Sequence, residues 1–543
     1  MLKSRFFLYI FLISIALTGC AKRGSITGGP KDTIPPILVG SSPRNMSTEF
    51  KGKEIRIDFN EYIKVKDINK QLIISPPMKY QPEIIPMGSA SKFISIKIKD
   101  TLQENTTYSF NFGQSITDNN EGNPYSQFKF IFSTGPYIDS LSLRGSIKDA
   151  FSRETDNFVT VMLYEANETF NDSTIYKEKP RYVTNTLDSM VNFSLENLKE
   201  GKYHLIALKD KNNNYKFDPK ADKIAFLNET VNVPDSVITG YQLELFKEVP
   251  VFKPVKPSQV SANRLYAGYE GDPKEMKVSV RNAASTEEIA SVLTKVRDKD
   301  SLNVWLPRGL VTDSLKVQVS HRDSIKNFTV KFKEMKTADS LSVEAVQRGG
   351  LHFREKFMIR PSTPLVTIDS TKINLVNKDS VAVRFTYAYD AFKQEMEFDF
   401  PKEESEKYTF RLYPGALTDF YGNTNDTLKF NLSTRTYGEY GNLRLRLENV
   451  NRFPLILQLT NNKGEVKASY YSEGETQINF DAILPDKYQV RVIYDDNKNR
   501  EWDTGSYLEK RQPEEVIWYK NGTDDLIDVR ENWDVEQPIN LGG

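Results

Sequence analysis

Tyr108-Ser109-Phe110-Asn111-Phe112 alternates apolar and polar residues one by one, and its continuation at Phe128-Lys129-Phe130-Ile131-Phe132 keeps an aromatic at every second position. Successive side chains of an extended chain point to opposite faces, so this pattern predicts strands with one face in a core. The same period runs through Glu54-Ile55-Arg56-Ile57-Asp58-Phe59, Phe93-Ile94-Ser95-Ile96-Lys97-Ile98, Ser314-Leu315-Lys316-Val317-Gln318-Val319 and Leu443-Arg444-Leu445-Arg446-Leu447. The runs are short and punctuated by Gly, Pro, Asn and Asp, which predicts an all-β chain of antiparallel β-sandwich domains in tandem. One segment departs. Ser285 and Glu288 form a capping-box pair, and Ile289, Val292, Leu293 and Val296 follow at helical spacing, predicting a lone helix over 285–297.

The opening stretch recurs. Tyr108 runs through Thr117-Asp118 and Gly122-Asn123 to Phe132-Ser133-Thr134. Tyr408 runs likewise through Thr418-Asp419 and Gly422-Asn423 to Leu432-Ser433-Thr434, 300 residues on. A second repeat has an offset of 285: Gly201-Lys202-Tyr203 to Phe217-Asp218 matches Asp486-Lys487-Tyr488 to Trp502-Asp503. A duplicated pair of β-domains, with a fifth unit between the copies, accounts for both. The expected organisation is a leader over 1–19, a flexible tether over 20–32, and domains over 33–136, 137–250, 251–360, 361–437 and 438–543.

The 543 residues hold 73 basic and 73 acidic side chains, one Cys and three His. Zero net charge argues against a nucleic-acid binder, which carries a basic stripe. At the N-terminus, Lys3 and Arg5 precede an apolar run from Phe6 to Leu17, too short to span a bilayer at ~20 residues. Leu17-Thr18-Gly19-Cys20 follows and resembles the lipobox of bacterial lipoproteins, which implies a signal peptide, cleavage before Cys20 and acylation of that thiol. Several acyl chains give stable anchoring where one gives marginal binding. Removing Lys3 and Arg5 leaves 71 basic against 73 acidic residues, so no steering field emerges.

Ile34-Pro35-Pro36, Ser42-Pro43, Phe59-Asn60-Glu61-Tyr62, the Asp118 to Gly122-Asn123 turn and Phe132-Ser133-Thr134-Gly135 resemble a bacterial Ig-like domain of the Big-5 type. The whole chain resembles the Ig-like-domain lipoproteins of Bacteroidota, and the units at 140–250 and 440–543 resemble transthyretin-like or Cna-B-like sandwiches. The resemblance implies an outer-membrane lipoprotein anchored through Cys20. The acidic patch after Cys20 that directs such proteins to the cell surface is absent, so the face stays open, leaning to the periplasm.

Two loops bear on metal chemistry. Asp210, Asn212, Asn214 and Asp218 set oxygens at positions 1, 3, 5 and 9, and Asp495, Asn497, Asn499 and Asp503 do the same. That spacing suits a hard cation such as Ca²⁺, bound weakly for want of a bidentate Glu at position 12. It equally suits turns in which Asx side chains cap the backbone. A third pattern is Asp, then Ser or Thr, then Ala, Ile, Leu, Val, Met or Thr, found 13 times where ordinary usage gives roughly two. It is similar to the acceptor motif of Bacteroidota O-glycosylation, which implies glycans on Thr33, Thr101, Ser140, Ser173, Ser189, Ser236, Ser301, Ser314, Ser324, Ser340, Ser370, Ser380 and Thr427. The same triplet also reads as a turn that opens a strand.

Catalysis has little to stand on. His204 aligns with Gln489 across the repeat, His321 and His352 have no partner at a recognisable spacing, and no nucleophile, zinc or phosphate motif is present. Trp502, Trp518, Tyr519 and Trp533 crowd the C-terminus, as plugs between strands or as a binding platform. The sequence therefore predicts a non-catalytic envelope scaffold, a row of sandwiches whose partners are the membrane and other envelope proteins. The alternative is an accessory subunit of an outer-membrane assembly, secretion or glycan-uptake machine.

Overall fold

The structure, a computed structural model, describes residues 31–186, 191–234, 240–285, 287–520 and 525–542. Cys20, the leader and most of the tether lie outside the described residues, as do Ser189 and Ser236. No helix among the described residues is long and apolar enough to cross a membrane.

Five modules follow one another, each with two sheets closed on one apolar core. In the first, strand Glu54–Val65 alternates as its sequence predicts: Ile55, Ile57 and Phe59 are buried while Glu54 and Arg56 are exposed. Its sheet packs on a second made of Ile73–Ser75, Thr107–Asn111 and Lys129–Ser133. Phe132 stands at the centre of that core, with ring centroids 4.4 Å from Phe50 and 5.4 Å from Tyr108. Such aromatic pairs add about 1 kcal/mol each beyond the area they bury.

The fourth module copies the first strand for strand. Strands Phe357–Pro361, Glu395–Asp399 and Thr386–Asp390 repeat one sheet, and Ile373–Val376, Lys407–Leu412 and Leu428–Ser433 repeat the other. Even the parallel pairing of Ser47 with Phe132 returns as Gly349 with Leu432. This copy begins earlier than the expected boundary at 361. Strand Val343–Ala345 pairs with Phe357–Pro361, and Leu351, Phe357 and Ile359 are buried in the same core as Phe398 and Phe410. Residues from about 340 therefore belong to the fourth module, because their apolar faces have no other core to enter.

The second and fifth modules are likewise equivalent. Each has a three-stranded sheet whose first and last strands run parallel: Leu141–Asp149 with Tyr241–Leu245, and Gly441–Glu448 with Asp534–Asn540. The facing sheets are centred on the equivalent strands Gly201–Lys209 and Asp486–Tyr494.

The third module corrects the helix expected over 285–297. Glu288–Ile289 and Val292–Lys295 are strands, the latter paired with Ser301–Trp305. The β-branched Ile289, Val292, Thr294 and Val296 favour the pleated surface. Thr294 is fully buried and accepts a 2.9 Å hydrogen bond from Trp305 Nε1. The serine meant to cap a helix closes a turn instead, its Oγ accepting from Glu287 N at 3.0 Å.

Candidate functional site

Strand Gly201–Lys209 is buried on both faces. Leu205 and Ala207 face the core of the second module, while Ile206 and Leu208 face a separate apolar cluster with Met162, Ile175, Phe217, Phe226 and Phe246. Tyr507 of the fifth module completes that cluster, its ring edge-on to Phe226 at 5.2 Å. The chain is therefore not a row. The second and fifth modules close on each other across more than 250 residues of sequence.

The paired Asp-x-Asn-x-Asn loops build this contact. In the first, Asp210 accepts from the backbone N–H of Asn212 (3.0 Å) and Tyr215 (2.7 Å). Asp222 ties the two ends, accepting from Lys211 N and Asp218 N at 2.9 Å each. In the second, Asp495 accepts from Asn499 N (3.1 Å) and Arg500 N (2.9 Å). Glu514 ties its ends, accepting from Asp496 N (2.8 Å) and Asp503 N (2.9 Å). Asn497 and Asn499 both turn their amide nitrogens to Asp503 Oδ2 at 2.6 Å. The acidic oxygens are thus engaged by N–H donors of the loops themselves, the arrangement of Asx turns. Among the described residues no three His, Cys, Asp or Glu side chains gather as a metal cluster. Burial pushes the carboxyls of Asp210 and Glu514 up from their ordinary range, though backbone amides pull the other way.

The two ties differ in reach. Asp222 follows Asp218 closely, whereas Glu514 lies well beyond Asp503, and the added residues form an arm that docks on the second module. Thr504 Oγ1 donates to Lys247 O at 2.7 Å, Gln512 Nε2 to Phe226 O at 3.0 Å, and Lys510 pairs with Asp172 at 2.5 Å. Tyr507 N donates to the Glu248 carboxylate, whose pKa burial raises. Gly505 lies so close to Phe246 that a Cβ would stand 2.6 Å from its ring, so no larger residue fits that approach.

A second contact lies beside the arm. Phe151 of the second module meets Trp502 at 4.6 Å and the Arg491 guanidinium at 4.0 Å, and its carbonyl accepts from Trp518 Nε1 at 3.1 Å. Arg491 occupies the position that Ile206 holds in the other copy. It is 4 % exposed, lies over the Trp518 ring and donates to Gln458 Oε1. Burial lowers its pKa to about 10. A cation between two aromatic faces gains from their quadrupoles where water is excluded.

The remaining junctions complete a circuit. Lys220 pairs with Glu270 at 2.8 Å between modules two and three. Tyr421 OH donates to Asn263 O at 3.1 Å between four and three. Arg354 pairs with Asp481 at 3.6 Å between four and five. Modules two to five thus form a closed ring, with module one attached to the second through Val183 N donating to Ser75 Oγ (3.1 Å) and the Lys129–Glu196 pair (2.6 Å).

The other expected residues scatter. The three histidines are apart: His204 stacks on Phe170 at 3.9 Å, His321 on Phe252 at 4.0 Å, and His352 accepts from Arg354 N through Nδ1. Burial pushes the His204 imidazole pKa down. Of the triplet hydroxyls, Thr33, Thr101, Ser140, Ser324, Ser340, Ser370, Ser380 and Thr427 are exposed and Ser173 and Ser314 half-buried. Ser301 is 1 % exposed inside the third module, where a glycan has no room, so that site is withdrawn. Trp502 and Trp518 are plugs between modules, and Trp305 is a fully buried plug. Trp533 is half exposed with Arg530 over its ring at 4.9 Å. Sequence reasoning missed Phe151, Arg491 and Glu514. The signals were a charged residue at an inward-facing strand position and the longer gap after Asp503.

Compared with known proteins, residues 32–134 match the bacterial Ig-like domain family. No curated protein matches. Among solved structures, the S-layer protein rSbsC(31-844) is 12 % identical, over 90 % of this chain and 67 % of that one, at a TM-score of 0.16. Titin A168169 is 13 % identical, over 33 % of this chain and 98 % of that one, at a TM-score of 0.14. Overlaps this loose carry nothing about how the modules are arranged or what they bind. The chain is an all-β assembly of tandem sandwiches, and its first module, over residues 32–134, is similar to a bacterial Ig-like domain.

Proposed function

We propose that this chain is a non-catalytic scaffold of the bacterial cell envelope, held at the outer membrane by lipid on Cys20 and offering its module junctions to other envelope proteins. The observation that carries the reading is the closed circuit. Repeated sandwiches locked by a desolvated aromatic and arginine contact give a rigid frame, and rigid frames present loops at fixed positions. The exposed triplet hydroxyls would carry glycans in this reading, since they stand on the surface where a transferase can reach them. Tagged purification in mild detergent with mass spectrometry tests it by reading partners, glycans and the acylated thiol together. Cys20→Ala should release the protein from membranes or block its processing. Unchanged fractionation and processing in that variant would overturn the anchoring, and turnover of a substrate by the purified chain would overturn the scaffold. Recovery in a fixed stoichiometric complex would make it an accessory subunit of a larger machine.

A further inference from the structure

Where the first module meets the second, a cleft of about 400 Å³ opens between Pro76-Pro77-Met78-Lys79, the Asp100 to Gln103 turn and the segment that carries Lys177 and Lys179. Four lysines line it: Lys79 from the first module and Lys177, Lys179 and Lys216 from the second. None of the four makes an ion pair among the described residues, in a chain whose charges otherwise balance and pair widely. Lys179 is fixed across the junction, its Nζ donating to Met78 O at 2.6 Å. Among the described residues the ammonium groups of Lys79, Lys177 and Lys216 make no hydrogen bond. The one carboxylate lining the cleft, Asp100, already accepts from backbone amides, including Thr101 N at 3.1 Å and Tyr80 N at 3.4 Å. Burial and the charge of Lys216 hold the Lys179 ammonium below its ordinary pKa, although Asp100 opposes them.

Four ammonium groups line the cleft against one carboxylate, and the repulsion of that excess positive charge is relieved when an anion enters. We propose that this cleft binds a tetrahedral oxyanion, a phosphate or sulfate group, bridging the first and second modules. Ammonium donors suit such a group as point charges, three N–H bonds apiece. The cleft is open and its Pro76, Pro77 and Met78 wall is apolar, so the oxyanion is best presented as an ester on a small molecule. A lipid headgroup carries the same chemistry, and the experiment separates the two.

The whole folded chain is titrated with inorganic phosphate, with glucose 6-phosphate, and with vesicles of phosphatidylglycerol, each against sodium chloride at matched ionic strength. Binding is read by calorimetry and by the rise in melting temperature. Saturable binding of phosphate or its ester is expected. In Lys177→Glu/Lys216→Glu it should weaken about tenfold or more, the usual loss when a hydrogen bond to a charged group is removed. Both lysines lack ion pairs, so the variant should melt as the parent does without ligand; Lys177→Gln/Lys216→Gln serves if it does not. Binding confined to vesicles, and lost in the variant, assigns the oxyanion to a headgroup. Responses equal to those of chloride, or equal in parent and variant, overturn the proposal.

Discussion

Single buried carboxylates hold the turns of the repeated modules. Asp118 is 2 % exposed and accepts from Asn120, Glu121 and Gly122 N through one oxygen and from Asn123 N through the other, at 2.7–2.9 Å. Burial alone would raise its pKa, but the four amides outweigh it and the value is lowered. Its stabilisation is therefore present above the ordinary carboxylate range and lost only as pH falls through the depressed folded value. Asp118→Ala should cost the first module about 3 kcal/mol, because buried amides lose their acceptor. Urea unfolding checks this, and the difference from the parent should shrink only in strong acid. Glu248 has the opposite sign. Burial raises its pKa, so ionisation is disfavoured in the folded state and the penalty grows as pH rises through the raised value. Glu248→Gln should raise the melting temperature at pH 8 and leave it nearly unchanged at pH 4, where the parent is itself neutral. An equal effect at both pH values would refute this account.

At the scale of the element, strands were legible and their partners were not. Ile55, Ile57 and Phe59 declare their buried face by period two alone, because the side chains alternate whatever lies opposite. Val292 to Val296 misled because an apolar run this short fits a helical face and a buried strand alike. The boundary near 340 was open to reading: an offset of 300 carries residue 33 onto 333, well before 361. The Asp-x-Asn-x-Asn loops show where spacing runs out. The same oxygens serve a cation or the backbone, and only the orientation of the N–H groups tells them apart. Since amides already take those oxygens, millimolar Ca²⁺ should leave the melting curve unmoved. A rise that Asp210→Ala with Asp495→Ala abolishes would show that the loops reorganise around the ion.

At the scale of the whole molecule, the closure rests on the arm, the aromatic contact at Phe151 and the ion pair of Arg153 with Asp525. Replacing residues 504–513 with the three-residue link that joins Asp218 to Asp222 should leave each module folded but free the fifth from the second. X-ray scattering should then show a larger radius of gyration, with strand content unchanged by circular dichroism. An unchanged radius would mean that the contacts of Phe151 and Arg491 and the Arg153–Asp525 pair suffice. Contacts across 250 residues leave no local period, so the closure showed in the sequence only through Arg491, charged where its copy has Ile206, and the longer gap after Asp503. The closure also bears on concentration. The second and fifth modules are held near each other by the folded modules between them, so each meets the other at an effective local concentration far above that of any free copy in solution. A contact weaker than separate proteins would need to associate is therefore enough to keep the circuit closed. A second chain could capture the fifth module only by displacing this intramolecular contact, which its high local concentration disfavours.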